Sequence, residues 1–149
     1  MTSDAPAFTA DELLDYISEI FPQVDSMNLK IDAMSRQNLR LRWPSTERHL
    51  RPGGTISGPA MMTLADTAAY FQVLANRGPV PLAVTTNLNV HFLKKPQPGD
   101  LIAEAELLKM GTRLVVSSVH LYSSDSPEVV AHATVTYSVP PPKSGAPSG

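Results

Sequence analysis

Between Pro59 and Asn76 the sequence PAMMTLADTAAYFQVLAN carries one side chain that is charged at neutral pH, Asp66. Lying seven positions beyond Pro59, it is too deep in the segment to be an N-cap. Two readings are open. The carboxylate hydrogen-bonds a neighbouring strand or lies where the segment meets water, or it is retained among apolar neighbours because it acts as a base or nucleophile. Just upstream, Gly53-Gly54-Thr55-Ile56-Ser57-Gly58-Pro59 leads into the same segment. If that segment is a helix, its first amides and dipole favour negative charge, which suits an acyl oxyanion as well as an ordinary turn. A phosphate-binding GxxxxGK[ST] loop is excluded, because Pro59 stands where the lysine would be. His49, His91, His120 and His132 show neither metal-ligand spacing nor a neighbouring HExxH pattern, and Ser57 lacks the G-x-S-x-G setting of a serine hydrolase. Lys94 and Lys95 before Pro96, and Arg113, read as solvated charges that a phosphate-bearing ligand could use. The chain has no cysteine, so thiolate catalysis, disulfides and cysteine metal sites are all excluded.

These residues need elements to hold them. Pro59 to Asn76 reads as one long helix, with proline in its first turn and Gly78 beyond its end. Apolar groups cover most of its circumference, so it is expected to be enclosed, and its alanines admit a closely packed sheet. An earlier helix is expected from Thr9 to Phe21, with Thr9 and Glu12 as a capping pair, Leu13, Leu14, Ile17 and Ile20 on one face, and Pro22 as the stop. Met27 to Met34 and Asn38 to Trp43 read as two short strands around a turn at Ser35 to Gln37. Four longer runs alternate with period two: Ala83 to Leu93, Leu101 to Met110, Arg113 to Tyr122 and Val129 to Val139. In the first, Val84, Thr86, Leu88, Val90 and Phe92 share a face opposite Thr85, Asn87, Asn89 and His91. The expected class is α+β, an antiparallel sheet with helices on one face, over residues 1–139 as a single domain. The tail 140–149, PPPKSGAPSG, is expected to be disordered.

The 149 residues are 42% hydrophobic and 17% charged, with a formal net charge of -2. That balance suits a globular fold, and without a basic excess it argues against nucleic-acid binding. The first twenty residues lack a basic region followed by an apolar run, and no stretch approaches the roughly 18 apolar residues of a membrane span. A soluble, cytoplasmic protein is the expectation.

The run SGPAMMTLADTAAYFQVLA, then N-x-x-F-L-K-K-P from Asn89, G-D at Gly99, G-T-R-L at Gly111 and A-x-A-T-x-T-Y ending at Tyr137, resembles the hotdog-fold acyl-CoA thioesterases over residues 50–139. The resemblance is to the PaaI type of the 4-hydroxybenzoyl-CoA thioesterase superfamily. It implies a long central helix wrapped by a curved antiparallel sheet, with an extra N-terminal helix here. It also implies a homodimer or homotetramer with active sites at the subunit interface, an acyl-CoA substrate, and neither cofactor nor metal. By position it makes Asp66 the carboxylate that attacks the thioester or activates water, Gly58 the amide that polarises the carbonyl, and Thr85 the hydroxyl that positions water. Lys94, Lys95 and Arg113 fall where relatives approach the CoA phosphates. The family commonly has His-Gly-Gly where this chain has Ser57-Gly58-Pro59, and Asn or Gln where it has Arg51. Arg51 either replaces the lost amide as a cationic donor or blocks the pocket. A non-catalytic hotdog domain binding an acyl or CoA-like ligand is the second reading. A hydratase is disfavoured, since no histidine lies between Leu50 and Val90.

Overall fold

Thr9 caps helix α1 (Ala10–Ile20) reciprocally with Glu12. The Thr9 hydroxyl accepts the Glu12 amide at 3.1 Å, and the Glu12 carboxylate accepts the Thr9 amide at 2.8 Å. The computed structural model describes residues 5–141. Leu13 and Ile17 bury the inner face of α1, and Pro22 then opens a short 3-10 turn, Pro22–Met27. Asn28, in the left-handed region at φ 52°, closes that turn, so the strand expected from Met27 begins only at Lys30.

Six strands follow the sequence periodicity closely: β1 (Lys30–Met34), β2 (Asn38–Pro44), β3 (Val84–Phe92), β4 (Asp100–Met110), β5 (Leu114–Ser123) and β6 (Val129–Ser138). They form one sheet in the order β1-β2-β4-β5-β6-β3, antiparallel throughout. Helix α2 (Gly58–Arg77) starts at the Ser57 cap and stops at Gly78, whose φ of 81° lets the chain leave the helix. It touches β2 through β6 in turn, which strands about 4.8 Å apart can manage only by curling around the helix axis. Leu64, Ala65, Ala68, Phe71 and Leu74 are fully buried against Leu41, Val119, Ala131, Ala133 and Val135 of the sheet. This is the expected hotdog arrangement, with α1 as an additional cover.

Enclosure of α2 is uneven. From Ala68 to Ala75 every side chain is buried, consistent with the apolar pattern. There Gln72 donates to the Gln37 carbonyl at 2.8 Å and accepts from Ser117 at 3.2 Å, while Asn76 donates to the Arg36 carbonyl. These amides pin the C-terminal half of the helix to the β1–β2 turn. The N-terminal half instead leaves a stripe at Pro59, Met62, Thr63, Asp66 and Thr67 wholly or partly open, so the enclosure expected from apolar groups over most of the circumference is complete only in the C-terminal half. After β6, Pro140 and Pro141 have no regular structure; the remainder of the tail expected to be disordered, 142–149, lies outside the described residues.

Candidate active site

Asp66 sits on the open stripe of α2, half-buried, where the helix passes the start of β3 and the end of β6. Its Oδ1 accepts the Thr85 hydroxyl at 2.6 Å and the Tyr137 hydroxyl at 2.9 Å. The Tyr137 Oη also lies 3.2 Å from the Asp66 carbonyl oxygen. Both bridging side chains converge on one oxygen, so Oδ2 is the one turned over to solvent or a ligand. Burial pushes the Tyr137 phenol well above its ordinary value of 10; the Thr85 hydroxyl opposes this and the Asp66 carboxylate reinforces it. Tyr137 is therefore a neutral donor throughout the physiological range. Its ring stacks on Tyr70 at 5.7 Å, which fixes where the hydroxyl points.

The hydroxyl of Thr85 reaches Asp66 only because β3 is irregular. Thr85 pairs with Tyr137 and Asn87 with Thr136, so Thr86 is an extra residue in the ladder, a β-bulge. Regular alternation would place Thr86 with Leu88 and Val90 on the helix side and turn Thr85 outward, as the sequence pattern suggests. The bulge reverses this. Thr85 shares the inner face with Leu88 and Val90, whose partners Val135 and Ala133 are buried. Thr86 instead bonds the Thr136 carbonyl at 3.3 Å.

The other anticipated site residues lie elsewhere. Ser57 caps α2, its hydroxyl accepting the Ala60 amide at 3.2 Å, and the Met61 amide goes to the Ser57 carbonyl. Pro59 has no amide hydrogen, so the Gly58 N–H is the helix-start donor that these caps leave for a ligand. Ser57→Ala removes the cap, and thermal or denaturant unfolding should register a loss of about 1 kcal/mol. Gly58 packs near the far end of β3; a Cβ placed on it would be 3.5 Å from the Phe92 ring. Eight residues of helix separate Gly58 from Asp66, roughly 12 Å at 1.5 Å per residue, so one chain cannot bring both to a single carbonyl. Arg51 is exposed in the loop closed by the Leu50–Ile56 bridge, its amide bonded to the Thr55 carbonyl at 2.8 Å. Lys94 pairs with Glu128 at 2.6 Å at the Gly58 end, with Lys95 exposed beside it. Arg113 lies at the Asp66 end, donating to the Val139 carbonyl at 2.9 Å.

The histidines stand apart from this site. His91, His132 and His120 form a cross-strand row on the outer face of the sheet, and His49 packs on Trp43. Burial lowers His132, and His120 and His91 add to the effect; burial and then Arg48 lower His49. With folded-state values below the unfolded 6.5, the unfolded chain binds more protons, so stability is full above that pH and declines as pH falls through it. The melting temperature should drop between pH 7.5 and 5, with a shallower slope in His132→Gln.

An antiparallel sheet curled about a long helix, with a hydrogen-bonded carboxylate at the helix's open stripe, defines a hotdog protein. The chain belongs to the thioesterase superfamily, whose family model matches residues 53–130. A crystal structure of a protein of Silicibacter sp. TM1040 assigned as a thioesterase is 45% identical, covering 91% of this chain and 94% of that one, with a TM-score of 0.84. A Pseudomonas aeruginosa protein assigned as an esterase is 29% identical over 136 residues, 91% of this chain and 93% of its own. The zebra fish thioesterase superfamily member 2 shares the fold at 19% identity and a TM-score of 0.78, covering 89% of this chain and 99% of that chain. No helix among the described residues is long and apolar enough to cross a membrane.

Proposed function

We propose that the chain hydrolyses acyl-CoA thioesters of small or medium acyl length, with Asp66 as the base that activates water or as the nucleophile itself. The observation that carries this reading is a half-buried carboxylate, held on one oxygen by Thr85 and Tyr137, that lines a cavity. A module that only binds acyl groups has no use for such a charge.

The site is completed by a second copy. β3 is an edge of the sheet, and Val84, Phe92 and Leu93 there are at least half exposed. On the open stripe of α2, Thr63 and Thr67 spend their hydroxyl protons on the Pro59 and Thr63 carbonyls, so the stripe can be covered without stranding those donors. Antiparallel pairing of β3 with its own copy sets the Phe92 end of one chain beside the Thr85 end of the other. Gly58 lies at the first of these ends and Asp66 at the second. Two equivalent sites result, each with the amide of one chain facing the carboxylate of the other. Lys94 and Lys95 of the chain that gives the amide and Arg113 of the chain that gives the carboxylate then flank one mouth, where they suit the CoA phosphates, and Arg51 lies on the same side as the donated amide.

Capture of released CoA thiol across a panel from acetyl- to decanoyl-CoA and benzoyl-CoA tests the reading. At least one substrate should reach a kcat/KM of about 10⁴ M⁻¹s⁻¹. Rates equal to buffer hydrolysis throughout would leave the binding-domain reading, which the changed residues at Arg51, Ser57 and Pro59 favour.

A further inference from the structure

The cavity beside Asp66, of about 590 Å³, is chemically two-ended. One end is the carboxylate with Thr85 and Tyr137. The rest of the lining includes Tyr70, Leu82, and Phe21 and Val24 at the corner where α1 gives way to the 3-10 turn. Phe21 is 44% exposed and Leu82 72%, so both present apolar surface that a guest would cover.

Polar groups in this wall are already engaged. Tyr70 donates to the Pro81 carbonyl at 3.1 Å and Thr67 to the Thr63 carbonyl at 2.7 Å, while Thr85 and Tyr137 donate to Asp66. Asp66 is the one charged side chain among the described residues lining the cavity. A carboxylate or hydroxyl carried against Phe21, Val24 and Leu82 would exchange water for apolar surface and meet no side-chain hydroxyl that is not already engaged, and an anion would also be repelled by Asp66. An apolar group would instead release water from Phe21, Val24 and Leu82.

Building on the thioesterase reading above, we infer that Phe21, Val24 and Leu82 form the wall that selects the acyl group, and that the substrates are thioesters of uncharged, apolar acyl groups, alkyl or aryl, rather than acyl groups ending in a carboxylate. The N-terminal segment is then part of the specificity apparatus as well as a cover for α2. Phe21 and Val24 contribute by position and bulk, the Asp66 end by its chemistry.

The test is binding of two thioethers that cannot be hydrolysed, S-hexyl-CoA and S-(4-carboxybutyl)-CoA, measured by calorimetry on the full chain. The hexyl compound should bind at least about tenfold more tightly, on the scale of burying one or two methylenes against leaving a polar group unpaired. Phe21→Ala should narrow that ratio about tenfold, Phe21→Leu should restore most of it, and Phe21→Arg should turn it toward the carboxybutyl compound. Leu82→Ala, in an exposed loop position, gives the same readout should Phe21→Ala fail to fold. Equal affinities in the unaltered protein, or a ratio unmoved by Phe21→Ala and Leu82→Ala, overturn the inference. A protein that keeps the preference but hydrolyses no acyl-CoA removes the catalytic reading and leaves the apolar wall. One that hydrolyses acyl-CoA without the preference removes the wall alone.

Discussion

Asp66→Asn should lower kcat by about 10² to 10⁴ with little change in folding, the range expected when a positioned base is lost. The amide is isosteric with the carboxylate and still offers an oxygen to Thr85 and Tyr137, whose hydroxyls donate to Oδ1 at 2.6 and 2.9 Å. What it lacks is an oxygen able to take a proton from water or attack a carbonyl. Rapid-quench or thiol-release kinetics on the best substrate, beside a thermal melt, separate chemistry from stability. A folded variant with unchanged kcat/KM would remove Asp66 from the mechanism and return it to the role of a hydrogen-bond acceptor for two strands. Thr85→Ala should give a smaller fall in kcat, and Thr86→Ala none of comparable size.

The second large effect concerns the shared site. Gly58→Pro removes the N–H assigned to the oxyanion at the first helical position, where proline is well tolerated, and a Cβ added there meets the Phe92 ring at 3.5 Å, an ordinary contact. Loss of one oxyanion donor should cost about 10² to 10³ in kcat. Pure Gly58→Pro and pure Asp66→Asn preparations should therefore both be nearly inactive. Unfolded together and refolded as a one-to-one mixture, half the dimers are mixed, and each mixed dimer holds one site with both its Gly58 amide and its Asp66 carboxylate intact. About a quarter of the original activity should return. No recovery in a mixture shown to exchange subunits would mean that the amide and the carboxylate do not meet across an interface.

Much of this architecture could be read from residue order. The capping pair at Thr9 and Glu12, the proline and glycine around α2 and the period-two runs are local signals, and the elements begin and end within a residue or two of them. Asp66 stood out because a lone charge in an apolar helix is costly unless it is used. Tyr137 was missed, although a tyrosine on a strand face otherwise made of valine and alanine must find a partner for its hydroxyl, and that need was the available clue. The phase of Thr85 was not legible at all. A bulge is decided by what the strand must satisfy at both ends, Leu88 and Val90 in the core and Thr85 on Asp66, and no local propensity encodes that conflict. The Phe21 corner was equally hidden, since it joins residues some sixty positions from the Pro81–Val84 wall.

The bulge also bears on how this candidate site tolerates change in chain length. Because Thr86 is surplus to the ladder, deleting it would bring Thr85 and Leu88 two positions apart, the natural spacing of one strand face, and would leave both where they now point. Inserting a residue there, by contrast, would need a second irregularity to keep the hydroxyl on Asp66. The strand thus carries one residue of slack in a single direction, and shortening at Thr86 is the length change that the Thr85–Asp66 hydrogen bond can absorb.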